Sequence, residues 1–181
     1  MLSHTAGLPD VLDVEPDASL RRYVTAAIEA ELVCVPGKVF SYSNLGYLIA
    51  GRLIEAVTGL SWWEAVQGYI LEPLEITGRT LGGDIPAGVL TGQHAVHLPT
   101  SSVQVVDLSH VPRAMVPAGA LATTAEGLLR LVALHCANPE ELVLEDEALQ
   151  RMRQAADGSE AFGMADGWGL GLATFQDSTG G

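Results

Sequence analysis

An apolar repeat at helical spacing between residues 44 and 57 constrains the fold of this chain more than any other feature. Residues three and four positions apart lie on the same face of an α-helix. Gly59 follows the repeat, and glycine is the residue that most often ends a helix in the left-handed conformation. The sequence therefore predicts an amphipathic helix from about Asn44 to Val57. The repeating positions are Leu45, Leu48, Ile49, Leu53 and Ala56.

Two further helices are predicted on either side of this one. The first runs from about Ser19 to Leu32. The residues of its apolar face are Leu20, Tyr23, Val24, Ala27 and Ile28. Ser61-Trp62-Trp63-Glu64 is a capping-box pattern, in which the serine side chain accepts from the glutamate amide and the glutamate reaches back. A helix should therefore start at Ser61 and stop near Pro73.

The second half of the chain is more broken. Glycines and prolines interrupt residues 78–118, which predicts mostly loop, with short strands near 103–106. Thr123-Thr124-Ala125-Glu126 is a second capping box, and it predicts a helix that ends before Asn138-Pro139. A short helix is expected at 145–155.

The stretch 168–175 alternates apolar and small residues and is interpreted as a strand. A strand needs a neighbour to pair with, and the chain offers no evident one. This favours an incomplete sheet and a partial domain.

Composition limits the functional classes. The chain has 181 residues, 48% of them hydrophobic, which suits about one globular domain. Its net charge is −13 and Lys38 is its one lysine, so it lacks the basic clusters that nucleic acid or an anionic membrane surface requires. The chain contains no apolar run of about 18 residues, so no membrane span is predicted. Any signal peptide would lie upstream of Met1, so the compartment stays unknown.

Neither the cysteines nor the histidines form a metal-site pattern. Cys34 and Cys136 lie among apolar residues and are interpreted as small core residues, with a single bridge between them as the alternative. His94-x-x-His97 has no carboxylate or cysteine close by and is interpreted as a surface pair. We expect no metal and no cofactor.

Four segments, in order, resemble landmarks of the penicillin-recognising serine hydrolases, which include class C β-lactamases, DD-peptidases and related esterases. LSHTAGLP at 2–9 resembles the family's LLSHTSGLP, and PGKVFSYSNLGY at 36–47 resembles PGxxFxYSNxGY. PAGALATTAE at 117–126 is similar to PAGGLxSTAxDL, and GWGLGL at 167–172 is similar to GYGLGW. The tyrosine block is the most specific of the four.

The resemblance implies roles for two residues. Tyr42 and Asn44 match the family's Y-x-N motif, in which the tyrosine is a general acid/base and the asparagine orients the substrate or the catalytic lysine. Their i, i+2 spacing in an extended stretch would place both side chains on one side. His4 is interpreted as structural, because the histidine of the SHT segment has no catalytic role in the pattern.

The other two motifs of the family are absent from these 181 residues. Lys38 is preceded three positions earlier by Val35, so no S-x-x-K nucleophile motif occurs, and no K-T-G or H-x-G follows residue 167. Ser41, Ser43 and Ser61 are rejected as substitute nucleophiles, because none has a lysine at the right spacing or a G-x-S-x-G elbow. We expect the chain to be inactive alone.

The fold class implied is mainly α with a few strands: the all-α lobe and part of the sheet of the β-lactamase-like α/β transpeptidase fold. Residues 1–181 would form one partial domain, with a helical lobe at 1–160 and the start of the sheet at 161–181. The parent protein would hydrolyse a small lactam, ester or D-amino-acid peptide through an acyl-enzyme. The alternative is a stand-alone, non-catalytic binding module that self-associates through its incomplete sheet.

Overall fold

Five helices and six short strands make up the described part of the chain. The computed structural model describes residues 1–15, 17–80, 94–97, 102–105, 111–136, 144–160 and 165–175. The helices are α1 (Leu20–Ala26), α2 (Asn44–Thr58), α3 (Trp62–Val66), α4 (Ala125–Cys136) and α5 (Asp146–Arg153). The strands are β1 (Gly78–Thr80), β2 (His94–His97), β3 (Ser102–Val105), β4 (Leu121–Thr123), β5 (Gly167–Trp168) and β6 (Ala173–Thr174).

The strands form three antiparallel pairs and no larger sheet among the described residues. β1 pairs with β4, β2 with β3, and β5 with β6. Strands of two to four residues contribute little stability of their own, so helix packing has to supply most of the core. The mainly α fold class with a few strands is confirmed.

Helix α2 is the centre of that core, and its predicted start is confirmed. Ser43 is the N-cap and its hydroxyl accepts from the Gly46 amide at 3.1 Å. At the other end Gly59 adopts a φ of 73° and its N–H donates to Glu55 at 3.0 Å. The helix therefore runs one residue beyond Val57, to Thr58.

The inner face of α2 packs on α1 and on a 3₁₀ helix at Arg113–Ala118. Leu45 and Leu48 are fully buried in one cluster with Leu20, Tyr23 and Ala114. Burying a leucine stabilises a fold by about 1.5–3 kcal/mol, so these contacts anchor the helix. The repeat does not stay buried along its whole length, because Leu53 and Ala56 are exposed.

Helix α1 starts at its predicted N-cap, Ser19, but is shorter than predicted. The α-helix ends at Ala26, and a single 3₁₀ turn (Ala27–Glu29) follows in place of a helix to Leu32. Ile28, expected on the buried face, is 78% exposed. The chain leaves the helix because Ala30 is extended, and Val33 then donates its N–H to Gly7 at 2.8 Å.

The capping box at Ser61 is confirmed. The serine hydroxyl accepts from the Glu64 amide at 3.2 Å, and the Glu64 carboxylate accepts from the Ser61 amide at 2.8 Å. The helix that follows changes character, since α3 passes into a π-helical turn at Gln67–Leu71. It ends two residues before Pro73.

The capping box predicted at Thr123-Thr124-Ala125-Glu126 does not form as predicted, because the cap is one residue later. Thr124 caps α4, its hydroxyl accepting from the Gly127 amide at 3.0 Å. Thr123 belongs to β4 and donates its hydroxyl to the Thr77 carbonyl at 2.8 Å. Glu126 binds Arg130 one turn further along the helix at 3.1 Å. Thr123, which the pattern assigned to the cap, therefore pairs with β1 instead.

Helix α5 confirms the short helix expected at 145–155, with Leu149 buried. The single strand predicted at 168–175 is wrong, because this stretch contributes to a hairpin of β5 and β6. Gly171 adopts a φ of 85°, and the Gly169 N–H donates to the Leu172 carbonyl at 2.8 Å. The two glycines let the chain reverse, so the strand finds its partner within the same segment.

The cysteines are not the core residues that the sequence predicted. Cys34 is partly buried, Cys136 is exposed, and both are free. None of the helices in the described ranges is long and apolar enough to cross a membrane. Of the loop-rich segment 78–118, residues 81–93, 98–101 and 106–110 lie outside the described residues. The side chains of His94 and His97, on β2, lie outside them as well.

Candidate functional site

The site is built where the first ten residues lie against the segment before α2. Three main-chain hydrogen bonds join the two segments: Val33 to Gly7 at 2.8 Å, Gly37 to Thr5 at 2.7 Å and Ser41 to His4 at 2.7 Å. In each, the later residue donates its N–H to the carbonyl of the earlier one. This pairing brings the LSHTAGLP segment beneath Tyr42.

His4 lies at the centre of the site. It is 2% exposed, and its φ of 55° lies in the left-handed region, which costs a residue other than glycine about 1–2 kcal/mol. Its Nδ1 accepts a hydrogen bond from the Ser43 amide at 3.0 Å. A neutral imidazole with an accepting Nδ1 carries its proton on Nε2. The surrounding contacts hold a strained residue in one tautomer.

Four aromatic rings surround the His4 imidazole. Tyr42 stacks on it with ring centroids 4.4 Å apart and planes 26° apart. Trp168 and Phe40 contact it edge-on, with centroids at 5.0 and 5.5 Å, and Tyr47 is tilted at 5.2 Å. We call His4, Phe40, Tyr42, Tyr47 and Trp168 the His4 cluster.

Burial in this cluster lowers the pKa of His4 below its ordinary value of 6.5. The negative charge of the Asp10 carboxylate opposes this shift. The geometry at Nδ1 agrees with a neutral ring, since a proton there would break the hydrogen bond from Ser43. The imidazole is therefore uncharged at neutral pH.

Tyr42 is at the outer edge of the cluster. Its side chain is 44% exposed, so one part packs on His4 and the rest faces outward. Its ring also meets Trp168 edge-on at 6.5 Å. Tyr42 is thus half packed against the protein and half exposed.

Asn44, the other predicted site residue, is the first residue of α2. Its side-chain amide donates to one Asp10 carboxylate oxygen at 2.8 Å, and its main-chain N–H donates to the same oxygen at 2.9 Å. Ser43, which separates it from Tyr42, is extended, with φ −148° and ψ 112°. The structure therefore brings Tyr42 to His4 and Asn44 to Asp10.

Tyr47 and Trp168 close the cluster from the inside. The Tyr47 hydroxyl donates to the Leu2 carbonyl at 2.9 Å. Burial raises the pKa of Tyr47 above its ordinary value of 10.0, and the Trp168 N–H partly opposes this. The Trp168 Nε1 atom is buried and makes no hydrogen bond of good geometry to the described residues. Both rings thus belong to the inner wall.

Sequence reasoning did not place three residues beside the predicted pair. His4 was interpreted as structural, and neither Asp10 nor Trp168 was given a role. The signal for the first two was present in the LSHTAGLPD segment, which contains both residues. Nothing in the sequence pairs position 4 with position 168, because they meet through tertiary contact. The described residues contain no group of three or more His, Cys, Asp or Glu side chains that could hold a metal ion.

Comparisons with known proteins give a consistent picture. The sequence model of the Beta-lactamase family matches residues 1–181. Penicillin-binding protein 4 of Amycolatopsis lactamdurans is 30% identical over 186 residues, which cover 97% of this chain and 49% of that protein. The chain thus spans about half the length of this relative.

Several solved structures are also similar to this chain. The crystal structure of SurE is 33% identical with a TM-score of 0.78, covering 95% of this chain and 42% of SurE. A second crystal structure of SurE, with D-Leu, is 32% identical with a TM-score of 0.74, covering 95% of this chain and 40% of that one. The D-stereospecific amidohydrolase from Streptomyces sp. is 24% identical with a TM-score of 0.77, covering 99% and 56%. That last likeness concerns the fold.

Proposed function

This chain belongs to the Beta-lactamase family, and from that premise we propose that it supplies the tyrosine–asparagine part of a serine-hydrolase active site. Tyr42 is the general acid/base and Asn44 is the residue that orients the substrate. The parent protein forms an acyl-enzyme and then hydrolyses it.

One observation carries the proposal. Tyr42 stands half exposed on a buried, neutral imidazole, directly before the N-terminus of α2. A general acid/base has to be held in place while its hydroxyl stays within reach of the substrate. A tyrosine that only filled the core would be covered on both faces.

In the proposed reaction the serine nucleophile attacks a carbonyl, and its proton moves to a base. The Tyr42 hydroxyl relays a proton between the serine and the leaving group: it accepts the proton taken from the serine and donates one to the leaving heteroatom, so that the carbon–heteroatom bond of the tetrahedral intermediate breaks. Water then attacks the acyl-enzyme and releases the serine. The serine and lysine of S-x-x-K are not among these 181 residues, so the longer protein has to provide them.

The substrate class that we propose is an amide or peptide whose acyl group is a D-amino acid. The crystal structure of SurE with D-Leu is 32% identical to this chain. The name of the Amycolatopsis relative indicates penicillin binding. A lactam or an ester is therefore an acceptable second acyl donor, because the same acyl-enzyme chemistry serves all three bonds.

A consequence is that the isolated 181-residue chain turns over none of these substrates. Without the nucleophile there is no acyl-enzyme, and without the nucleophile's own amide one oxyanion-hole donor is missing. Saturable hydrolysis of a chromogenic cephalosporin, a p-nitrophenyl ester or a D-amino-acid p-nitroanilide by the pure chain would contradict this.

The test of the Tyr42 role uses a chimera. The segment of penicillin-binding protein 4 from Amycolatopsis lactamdurans that aligns with this chain is replaced by residues 1–181. Covalent labelling by a fluorescent penicillin is followed in the chimera and in its Tyr42→Phe variant. We expect Tyr42→Phe to slow labelling about 100-fold or more, the usual size of an acid/base contribution.

The matched control is Tyr69→Phe. Tyr69 lies on the π-helical turn after α3 and is exposed, so its variant should label at the parent rate. Equal labelling of the Tyr42→Phe and parent chimeras would overturn the proposed role. The reading frame gives a second test that needs no folding: an in-frame S-x-x-K upstream supports the proposal, and stop codons closing both ends contradict it.

A non-catalytic interaction module is the second candidate, and exposed apolar side chains favour it. Leu53 and Val57 on α2, and Leu128 and Leu129 on α4, are more than half exposed. Large exposed apolar patches usually mark a surface that another protein covers, and these side chains are candidates for such patches. Sedimentation of the pure chain separates the two candidates: a stable dimer favours the module, whereas a concentration-independent monomer argues against self-association.

A further inference from the structure

His4 contacts the chain on both sides of Tyr42. Its carbonyl accepts the Ser41 N–H at 2.7 Å, and its Nδ1 accepts the Ser43 N–H at 3.0 Å. One buried residue therefore binds the residue before Tyr42 through its main chain and the residue after it through its side chain.

We propose that His4 is the positioning residue for Tyr42. It clamps the main chain at Ser41 and Ser43, and its ring supports the Tyr42 ring from beneath. The effect of this clamp on catalysis rests on the proposed function, while the clamp itself does not.

The imidazole can act as a support because other aromatic rings contact it on several sides. Phe40 and Trp168 meet its edges, and Tyr47 covers a further side, so Tyr42 stacks on a ring that is fixed by three others. His4 is 2% exposed, whereas Tyr42 is 44% exposed. The buried ring therefore sets the position of the accessible one.

The clamp continues into α2. Ser43 donates its hydroxyl to the Pro9 carbonyl at 2.8 Å and accepts from the Gly46 amide at 3.1 Å. Its remaining donor, the main-chain N–H, goes to His4. Tyr42 is thus tied to the helix start at one end and to His4 at the other. A displacement of about 1 Å at such a residue can cost about 100-fold in rate.

The alternative is that His4 has only a packing role in the core and does not position Tyr42. Under that alternative any substitution that keeps the protein folded leaves Tyr42 working. Under our proposal the two functions of the residue are separable. His4→Asn keeps an acceptor where Nδ1 stands and tolerates a left-handed φ, but it loses the ring. His4→Phe keeps the ring and loses the acceptor.

The first measurement uses the 181-residue chain alone. Long-range ¹H–¹⁵N spectra of the histidine rings report which nitrogen carries the proton. We expect His4 to be neutral at pH 7 with its proton on Nε2, and the Tyr42 ring protons to shift when His4 becomes Asn. A proton on Nδ1, or a charged His4 ring at pH 7, would overturn the clamp.

The second measurement uses the chimera described above. We expect His4→Ala, which removes both contacts, to lower the limiting acylation rate about 10- to 100-fold, with the half-saturating penicillin concentration unchanged. His4→Asn and His4→Phe should each recover part of that loss. The control is Leu71→Val, because Leu71 is buried on the π-helical turn after α3 and lies outside the His4 cluster; this variant should stay within about twofold of the parent.

The outcomes separate the two proposals. If the Tyr42→Phe chimera is labelled by penicillin at the parent rate, the proposed function fails. The ¹H–¹⁵N spectra of the His4 ring then still test whether His4 holds the Ser43 amide. If Tyr42→Phe is slow but His4→Ala labels at the parent rate, the positioning role fails alone. If the His4 variants do not fold, the protonation state of His4 in the unaltered chain remains the deciding result.

Discussion

One carboxylate oxygen of Asp10 accepts hydrogen bonds from both the main-chain and the side-chain nitrogen of Asn44, at 2.9 and 2.8 Å. The Asp10 carbonyl also accepts from the Leu45 amide at 2.9 Å. Together with Ser43, whose hydroxyl takes the Gly46 amide, these contacts satisfy the first three N–H groups of α2. The acidic charge at this end also suits the helix dipole.

Asp10→Ala should therefore lower the free energy of unfolding by about 1–2 kcal/mol, the usual cost of losing a helix cap and a charge-assisted bond. Urea unfolding of the 181-residue chain measures it. Asp13→Ala is the control, because Asp13 is exposed and its carboxylate makes no hydrogen bond within the described part of the chain; its cost should stay within about 0.5 kcal/mol. Equal losses in the two variants would show that Asp10 does not cap α2.

Gly7→Ala should destabilise the chain more than Gly59→Ala. Both glycines have a positive φ, 69° and 73°, so each alanine incurs about 1–2 kcal/mol of backbone strain. At Gly7 the new Cβ would also collide with the Cys34 carbonyl oxygen, whereas at Gly59 it meets no described atom within 4 Å. The collision adds about 1–3 kcal/mol. Matched midpoints in thermal unfolding would contradict the close approach of the two segments.

Acidification should lower the free energy of unfolding, because the His4 imidazole takes up a proton more readily in the unfolded chain. Because burial lowers the pKa of His4 in the folded chain, the unfolded chain binds a proton first as the pH falls below 6.5. The stability that His4 contributes is therefore complete above about pH 6.5 and is lost as the pH falls towards the folded pKa. The free-energy difference between the unaltered chain and His4→Asn should shrink over that window.

Urea titrations of both proteins between about pH 8 and 5 give this difference. Burial also lowers the pKa of His135, but that group is present in both proteins and cancels. A difference that does not change with pH would mean that His4 keeps its ordinary pKa.

Thr124→Ala should speed hydrogen exchange at the Gly127 amide, because Thr124 is the residue that caps this N–H at 3.0 Å. The change should also cost about 1 kcal/mol of stability. Thr123→Ala removes the bond to the Thr77 carbonyl instead, and exchange at Gly127 should stay as in the unaltered chain. The reverse pattern would restore Thr123 as the cap.

Local signals predicted most of the helices. The caps at Ser19 and Ser61, the glycine stop at Gly59 and the start of α2 all depend on residues within one turn of each other. The strand predicted near 103–106 corresponds to β3 (Ser102–Val105), whereas the single strand predicted at 168–175 was wrong. The 168–175 stretch alternates as a strand does, yet Gly169 and Gly171 let it turn back on itself.

The sequence by itself determined the main helices, the absence of an S-x-x-K motif from these 181 residues, and the Tyr42–Asn44 pair as candidates. Spacing along one chain carries that information, because caps, apolar faces and motifs are local. Only the tertiary structure decided that His4 supports Tyr42 and that Asp10 holds Asn44. Those pairs are separated by 38 and 34 positions. They meet because main-chain hydrogen bonds lay residues 1–10 against residues 33–43, a register that no local pattern specifies.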